Sequence, residues 1–226
     1  MEQEECMVFS VGEDALWYET LEQGSDEWFV VRAGKVTASP VSSLLVKGKG
    51  EGGLGTGAIT YLKEKVAEVL SGTVKHVSSP AMKWGHDHED EAREFYEAMT
   101  GVEVEQVGFI EVHEYVGVSP DGLVGEDGMV EIKNPFNNEK ILDYHLMTEG
   151  KEIPKDYYAQ VQMQLWAADR KWCDFVVYDT RMKRPLCIKI IRIERDEEFI
   201  SIMEGKISAF VKLLEEKIKF FQDMMN

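Results

Sequence analysis

The sequence predicts an α/β (α+β) fold: a central mixed β-sheet flanked by helices. Two observations carry that prediction. The first is the order of patterns, in which helices precede a strand cluster, one helix follows, then more strands and a closing helix. The second is the length and composition. With 226 residues, 44% of them hydrophobic and 30% charged, the chain can bury one sizeable core. A single domain over residues 1–226 is the simplest organisation, with no internal repeat and no evident linker.

Taken in order, residues 13–31 read as a helix anchored by Trp17, Leu21, Trp28 and Val31. Ser39 before Pro40 reads as a helix start, a capping hydroxyl followed by proline at the first helical position. "KGKGEGGLGTG" at 47–57 reads as a mobile loop, and it lacks the GxxxxGK[ST] order of a nucleotide P-loop. A helix over 58–70 stops at Gly72, and another runs from about Trp84 to Met99, ahead of Gly101. Strand-like runs follow at 103–112 and 115–119, then a turn at 120–128 and a strand at 129–133 that Pro135 ends. A helix over 156–168 precedes strands at 173–179 and 186–194. The last helix, about 196–222, carries Ile200, Met203, Ile207, Phe210, Leu214, Ile218 and Phe221 at spacings of three and four, which reads as core packing.

Charge and cysteine content narrow the classes. The formal net charge is −17, distributed as −6 over residues 1–60, −13 over 61–180 and +2 over 181–226. That balance opposes non-specific nucleic-acid binding, yet net charge does not fix the local field in a cleft. No apolar run approaches the ~20 residues needed to span a bilayer. "MEQEEC" lacks the layout of a signal peptide. Cys6, Cys173 and Cys187 are odd in number and form no CxxC pair, so neither a disulfide framework nor a zinc site is indicated and a reducing cytoplasm fits.

The chemistry concentrates in "GVSPDGLVGEDGMVEIKNPF" at 117–136. Side chains alternate faces along a strand, so Val130 and Ile132 point one way while Glu131 and Lys133 share the other. Asp121, on the Pro-Asp-Gly turn, is brought alongside. Converging carboxylates make a hard oxygen site suited to Mg²⁺, and a neighbouring lysine can orient or deprotonate water or stabilise negative charge. The plain alternative is a surface hairpin with a Glu/Lys solvent face. In "WGHDHEDEAREFYEAM", Ala92, Phe95, Tyr96 and Met99 define the inward face, with Glu89 at its edge, either reaching an internal site or forming a solvated flank. His88 lies on the apolar face, as a hydrogen-bonded core histidine or a ligand for Mn²⁺ or zinc. In "DYYAQVQMQLWAA", Gln160, Gln162 and Gln164 sit in an otherwise apolar helix, and a buried glutamine needs a specific hydrogen-bond partner.

These residues resemble the PD-(D/E)xK nucleases, with a restriction-endonuclease-like core. "LxxGSDEWFVVRAGKVTAS", "MKWGHDHEDEAREFYEAMTGV", "SPDGL", "EIKNPF", "YYAQVQMQLW", "YDTRMKR" and "IERDEEF" occur in the order found in the bacteriophage lambda exonuclease and YqaJ-type viral recombinase family. The likeness covers roughly residues 17–200 and is weakest in the acidic N-terminus and the glycine-rich loop. It implies a Mg²⁺-dependent 5′-to-3′ exonuclease on double-stranded DNA ends, with Mn²⁺ as an alternative ion. Such enzymes release mononucleotides, leave 3′ overhangs, form ring-shaped homotrimers and work beside a single-strand annealing protein. The setting implied is the cytoplasm of a bacterial or phage-infected cell.

Residue by residue, the resemblance implies that Asp121, Glu131, Glu89 and the main-chain carbonyl of Ile132 bind the metal, and that Lys133 activates the attacking water. Gln160 and Tyr157 position the water or the lysine. Arg32 holds the 5′-terminal phosphate, with Ser39 and Ser119 near the phosphates; a capped helix start at Ser39 is also a natural phosphate site. His86 and His88 depart from the family pattern and leave the metal preference open. Arg181, Lys183 and Arg184 form a basic cluster that reads equally as a DNA contact or a solvated turn. The rival readings are an endonuclease or single-strand nuclease on the same core, and a catalytically silent DNA-binding protein.

Overall fold

The computed structural model describes residues 7–74 and 78–225; Cys6 and the acidic hexapeptide lie outside them. Leu16–Tyr18 forms strand β1, followed by helices α1 (Asp26–Arg32), α2 (Ser42–Leu45), α3 (Thr56–Ser71), α4 (Pro80–Asp87) and α5 (Glu89–Thr100). Next come strands β2 (Phe109–His113), β3 (Val116–Val118), β4 (Gly122–Val124) and β5 (Gly128–Lys133), then helices α6 (Lys140–His145) and α7 (Lys155–Ala167). Strands β6 (Trp172–Tyr178) and β7 (Ile188–Glu194) lead into the long helix α8 (Glu197–Met225).

The strands form two sheets, β1-β2-β3 and β4-β5-β6-β7. The four-stranded sheet is mixed. β4–β5 and β6–β7 pair antiparallel as hairpins, whereas β5 and β6 run parallel. Parallel neighbours need a long crossover, and α6 and α7 supply it. The mixed α/β prediction therefore holds, with the difference that the strands are divided between two sheets.

Strand β5 has a different neighbour on each face. Val130 and Ile132 pack with Ala92 and Tyr96 of α5 and with Val176 and Tyr178. Met129 belongs to the larger cluster with α7, α8 and the three-stranded sheet. Helix α7 is buried continuously from Ala159 to Ala167, as its nearly all-round apolar sequence requires. Helix α8 buries Ile200, Met203, Ile207, Phe210, Leu214 and Ile218, each worth about 1.5–3 kcal/mol on burial. Phe221, expected in that stripe, is instead 42% exposed, because the helix runs on past the core.

Several expected boundaries move. The helix expected over 13–31 is broken: Leu16–Tyr18 pairs with β2 instead, and Gly24 takes φ +85°. The helix restarts only after Ser25, whose hydroxyl accepts from the Trp28 N–H at 3.1 Å. The helix expected from Trp84 starts earlier, at Pro80, capped by Ser79, and breaks at His88, whose φ/ψ of −117°/3° is not helical. Glu89 thereby becomes the first residue of a new helix. Met99, expected inward, is exposed. The run at 103–112 pairs regularly only from Phe109, and the turn expected at 120–128 contains β4. The glycine-rich segment is a folded reverse turn. Gly48 and Gly50 donate to the carbonyls of Gly53 and Leu54, and Glu51 pairs with Lys217 at 2.6 Å.

Gly108 shows how closely the entry to β2 meets the connection between β1 and α1. A Cβ there would lie 2.0 Å from the Leu21 carbonyl oxygen, a backbone atom that cannot rotate away. Gly108→Ala should lower stability by about 1–3 kcal/mol, read as a lower urea midpoint with an unchanged m-value.

Candidate active site

The register of the β4–β5 hairpin sets the first carboxylate pair. Gly122 faces Val130 across it, so the preceding Asp121 falls beside Glu131 and Ile132. Its Oδ2 accepts the Ile132 N–H at 2.6 Å. Strand alternation turns Glu131 toward α7, where it is 1% exposed. A buried carboxylate is tolerated only when charge and hydrogen bonds compensate it. Here Gln160 Nε2 donates to Oε1 at 2.6 Å and Gln164 Nε2 to Oε2 at 2.8 Å, while Lys133 Nζ also pairs with Oε1. The two glutamines are four residues apart, so they share one face of α7.

All three glutamines of α7 have partners. Gln162, at 0% exposure, donates to the Glu194 carbonyl and accepts from the Asp196 N–H, tying α7 to the start of α8. Gln164 additionally donates to the Ser119 carbonyl at 3.3 Å. Sequence reasoning had not placed Gln164 at the site. The signal available for it was the i, i+4 spacing from Gln160.

A cleft of about 790 Å³ opens onto this group. Its walls include Glu89, Asp121, Ile132, Lys133, Tyr157 and Phe136. Lys133 Nζ lies 5.2 Å from the centre of the Tyr157 ring, which leans on Phe175. Glu89 forms a 3.5 Å ion pair with Arg93. His86, an exposed residue, also lines the cleft, whereas His88 stacks on Trp84 and hydrogen-bonds its carbonyl at 2.9 Å, the structural role weighed for it.

The electrostatics are unbalanced toward negative charge. Burial raises the Asp121 pKa well above the usual carboxylate range, and Glu131 and Glu89 push it further. Burial also raises Glu89, which Arg93 opposes and Glu131 reinforces. For Lys133, burial works downward, but Glu131 and Asp121 outweigh it and the pKa rises. Lys133 is therefore an ammonium in this arrangement: a donor and charge stabiliser, with no base function until its carboxylate partners are engaged elsewhere.

The donor chemistry fits a hard divalent cation, which takes carboxylate and carbonyl oxygens. Among the described residues, however, no three His, Cys, Asp or Glu side chains form a ready ligand set. Lys133 and the glutamines engage both oxygens of Glu131, and Arg93 holds Glu89.

Arg32 and Ser119 meet beside this cleft. Arg32 NH1 donates to Ser119 Oγ at 3.0 Å, and its guanidinium lies 3.9 Å from the centre of the Trp28 ring. Trp28 Nε1 also donates to Ser119 Oγ at 3.0 Å. Burial lowers the Arg32 pKa to about 10, with Tyr61 and Glu68 opposing the fall, so the side chain remains charged at neutral pH. Among the described residues, no carboxylate forms an ion pair with it. One Gln164 amide then links the Ser119 carbonyl to Glu131.

Ser39 departs from its expected place. It is exposed, and α2 is a short helix entered through Val41 with no side-chain cap. The capping argument for a phosphate there is withdrawn. The basic cluster also changes meaning. Arg181 forks onto buried Asp179, and Arg184 lies over Phe95 at 4.5 Å.

Residues 27–171 match the YqaJ-like viral recombinase domain. The chain belongs to that family. Among solved structures, the alkaline exonuclease LHK-Exo from Laribacter hongkongensis is 35% identical and superposes with a TM-score of 0.79, over 89% of this chain and 98% of that one. Its complex with dAMP gives 36% identity and the same score. A phage-related exonuclease from Haemophilus somnus 129PT shares the fold at 16% identity and a TM-score of 0.66, over 84% of this chain and 96% of that one. The uncharacterized protein R354 of Acanthamoeba polyphaga mimivirus is 26% identical over 168 residues, 69% of this chain; the chain spans 29% of that relative's length. The mixed sheet of this YqaJ-like chain, with its β4–β5 hairpin, thus sits in a fold shared with exonucleases. Among the described residues, no helix is long and apolar enough to cross a membrane.

Asp121 generates a stability prediction. Its folded pKa lies above the unfolded value of about 3.9, so its charge opposes folding at pH above the folded pKa. That penalty shrinks as pH falls between the two values and vanishes below the lower one. Asp121→Asn keeps the acceptor for Ile132 and should raise the melting temperature at pH 7–8, with the gain disappearing near pH 3–4. Thermal melts across that range check it.

Proposed function

We propose that this chain is a metal-dependent DNA exonuclease that works from the 5′ end of duplex DNA, releases mononucleotides and leaves 3′ overhangs for strand annealing. The observation that carries this reading is the relay Arg32–Ser119–Gln164–Glu131. It ties a charged arginine without a carboxylate partner to the carboxylates of the cleft. A 5′-terminal phosphate held at Arg32 would put the first phosphodiester within reach of Asp121 and Lys133. The likeness to LHK-Exo supports the exonuclease class.

Asp121, Glu89, Glu131 and the Ile132 carbonyl would hold Mg²⁺ or Mn²⁺; when bound, the ion supplies Lewis-acid activation of the phosphate and of a water. Binding would require Glu131 to loosen its contact with Lys133 and Glu89 to loosen Arg93. Released from Glu131, Lys133 would lose the neighbours that raise its pKa and could accept a proton from the attacking water. While still protonated it donates to a phosphate oxygen. Gln160 and Gln164 keep Glu131 oriented throughout. Tyr157 walls the cleft beside Lys133 and limits where the water can stand.

A ring-shaped homotrimer and a single-strand annealing partner follow from the family resemblance. A ring enclosing the duplex would supply processivity and reduce the need for a strongly basic surface on a chain of net charge −17.

The test uses linear duplex DNA labelled on one 5′ end, with and without a 5′ phosphate. Wild type in Mg²⁺ should release labelled mononucleotides, favouring the phosphorylated end. EDTA should abolish the reaction, and Lys133→Ala should lower it by about 10²-fold or more, the usual scale of a lost acid–base or charge-stabilising group. Arg32→Ala should remove the preference for 5′ phosphate and raise KM. Internal cutting by wild type would favour an endonuclease, and binding without metal-dependent cutting would favour a silent DNA-binding protein.

A further inference from the structure

Phe136 presents a large apolar ring at the mouth of the catalytic cleft. It is 48% exposed and lines the same cavity as Asp121, Lys133 and Glu89. An exposed aromatic on a free loop would mean little. This one sits on a backbone segment fixed from several directions immediately after β5. Asn134 Nδ2 donates to the Gly85 carbonyl of α4 at 3.1 Å. Arg181 NH2 donates to the Pro135 carbonyl at 2.8 Å, and its NH1 to the Phe136 carbonyl at 3.0 Å.

Arg181 is itself held rigidly. Asp179, 1% exposed, receives its Nε and NH2 groups at 2.9 and 2.8 Å. The guanidinium also lies over the Trp84 ring at 4.3 Å, and that ring meets Phe136 edge-on at 6.5 Å. A guanidinium that forks onto a buried carboxylate and also donates to two backbone carbonyls is more than a surface turn needs. Its effect here is to fix the position of one exposed ring next to the phosphate chemistry. Flat aromatic rings accept any nucleobase by stacking, which suits a nuclease without sequence preference.

We propose that Phe136 is a stacking platform for the nucleobase beside the scissile phosphate, with Arg181 as the positioning residue that sets its place. This rests on the DNA-nuclease reading above and adds a contact to the base. It predicts contact with the base alone, independent of sequence and of the 5′ phosphate.

The experiment uses duplex DNA carrying the fluorescent adenine analogue 2-aminopurine at the terminal or the second 5′ position, bound to full-length Lys133→Ala protein. Fluorescence at one of the positions should fall on binding through stacking. The fall should be lost in Phe136→Ala and kept in Phe136→Trp and Phe136→Tyr. In the otherwise wild-type enzyme, Phe136→Ala should raise KM for DNA ends about five-fold or more, with kcat little changed. Arg181→Lys, which keeps the charge but loses the fork, should shift KM in the same direction.

Equal quenching at both positions with and without the Phe136 ring would overturn the assignment. So would a Phe136→Ala protein whose only change is its mass by light scattering, since the ring would then serve contact between subunits. Cleavage that fails in wild type while the probe still reports Phe136 would sink the nuclease reading and leave the base contact standing. Normal cleavage with no effect of Phe136→Ala would do the reverse.

Discussion

The structure depends on how it satisfies a carboxylate at 1% exposure. Glu131 sits between β5 and α7, where an unpartnered charge would be prohibitive. Lys133, Gln160 and Gln164 together satisfy it. Each donor comes from an element whose placement serves this contact: Lys133 from the same face of the strand, the glutamines from one face of the crossover helix. The parallel pairing of β5 with β6 makes that crossover necessary. Fold and site are thus built on one requirement, a helix laid across β5 with its amides turned inward.

Asp121 and Glu89 are treated differently. Neither has the lysine contact that Glu131 has, and each keeps a raised pKa from burial and from the charge of Glu131. Their environment holds more negative charge than the local cations offset. That imbalance costs folding stability, and under the proposed function a divalent cation would offset it. In that reading it would also reconcile an acidic chain with a polyanionic substrate. The overall charge of −17 would repel DNA at long range, while the proposed contacts are Arg32, Lys133 and a cation held by the carboxylates.

A web of backbone contacts holds the rim. Trp28 and Arg32 converge on Ser119 from α1, and Arg181 and Asn134 fix the segment that leaves β5. These groups sit on short elements and turns. They gain precision from being tied to the strands that carry the carboxylates. Arg181, which in sequence reads equally as part of a DNA contact or of a solvated turn, is engaged by the Phe136 carbonyl and by Asp179.

The sequence by itself determined the mixed α/β class, the faces of β5, the burial of α7 and α8, and Asp121, Glu131 and Lys133 as one group. Those features follow from local periodicity and from a short hairpin, both written in neighbouring residues. The words shared with the YqaJ-type family also named Arg32, Ser119, Glu89, Gln160 and Tyr157. Only the tertiary structure decided the rest. It broke the expected first helix, because Leu16–Tyr18 finds a strand partner far along the chain at residues 109–111. It removed Ser39 from its cap and left Phe221 and Met99 exposed, since helix length in sequence does not say where the core ends. It added Gln164, and it tied Arg181 to Asp179 and to the carbonyls of Pro135 and Phe136. These outcomes depend on groups distant in the chain, and no local pattern records which of them will meet.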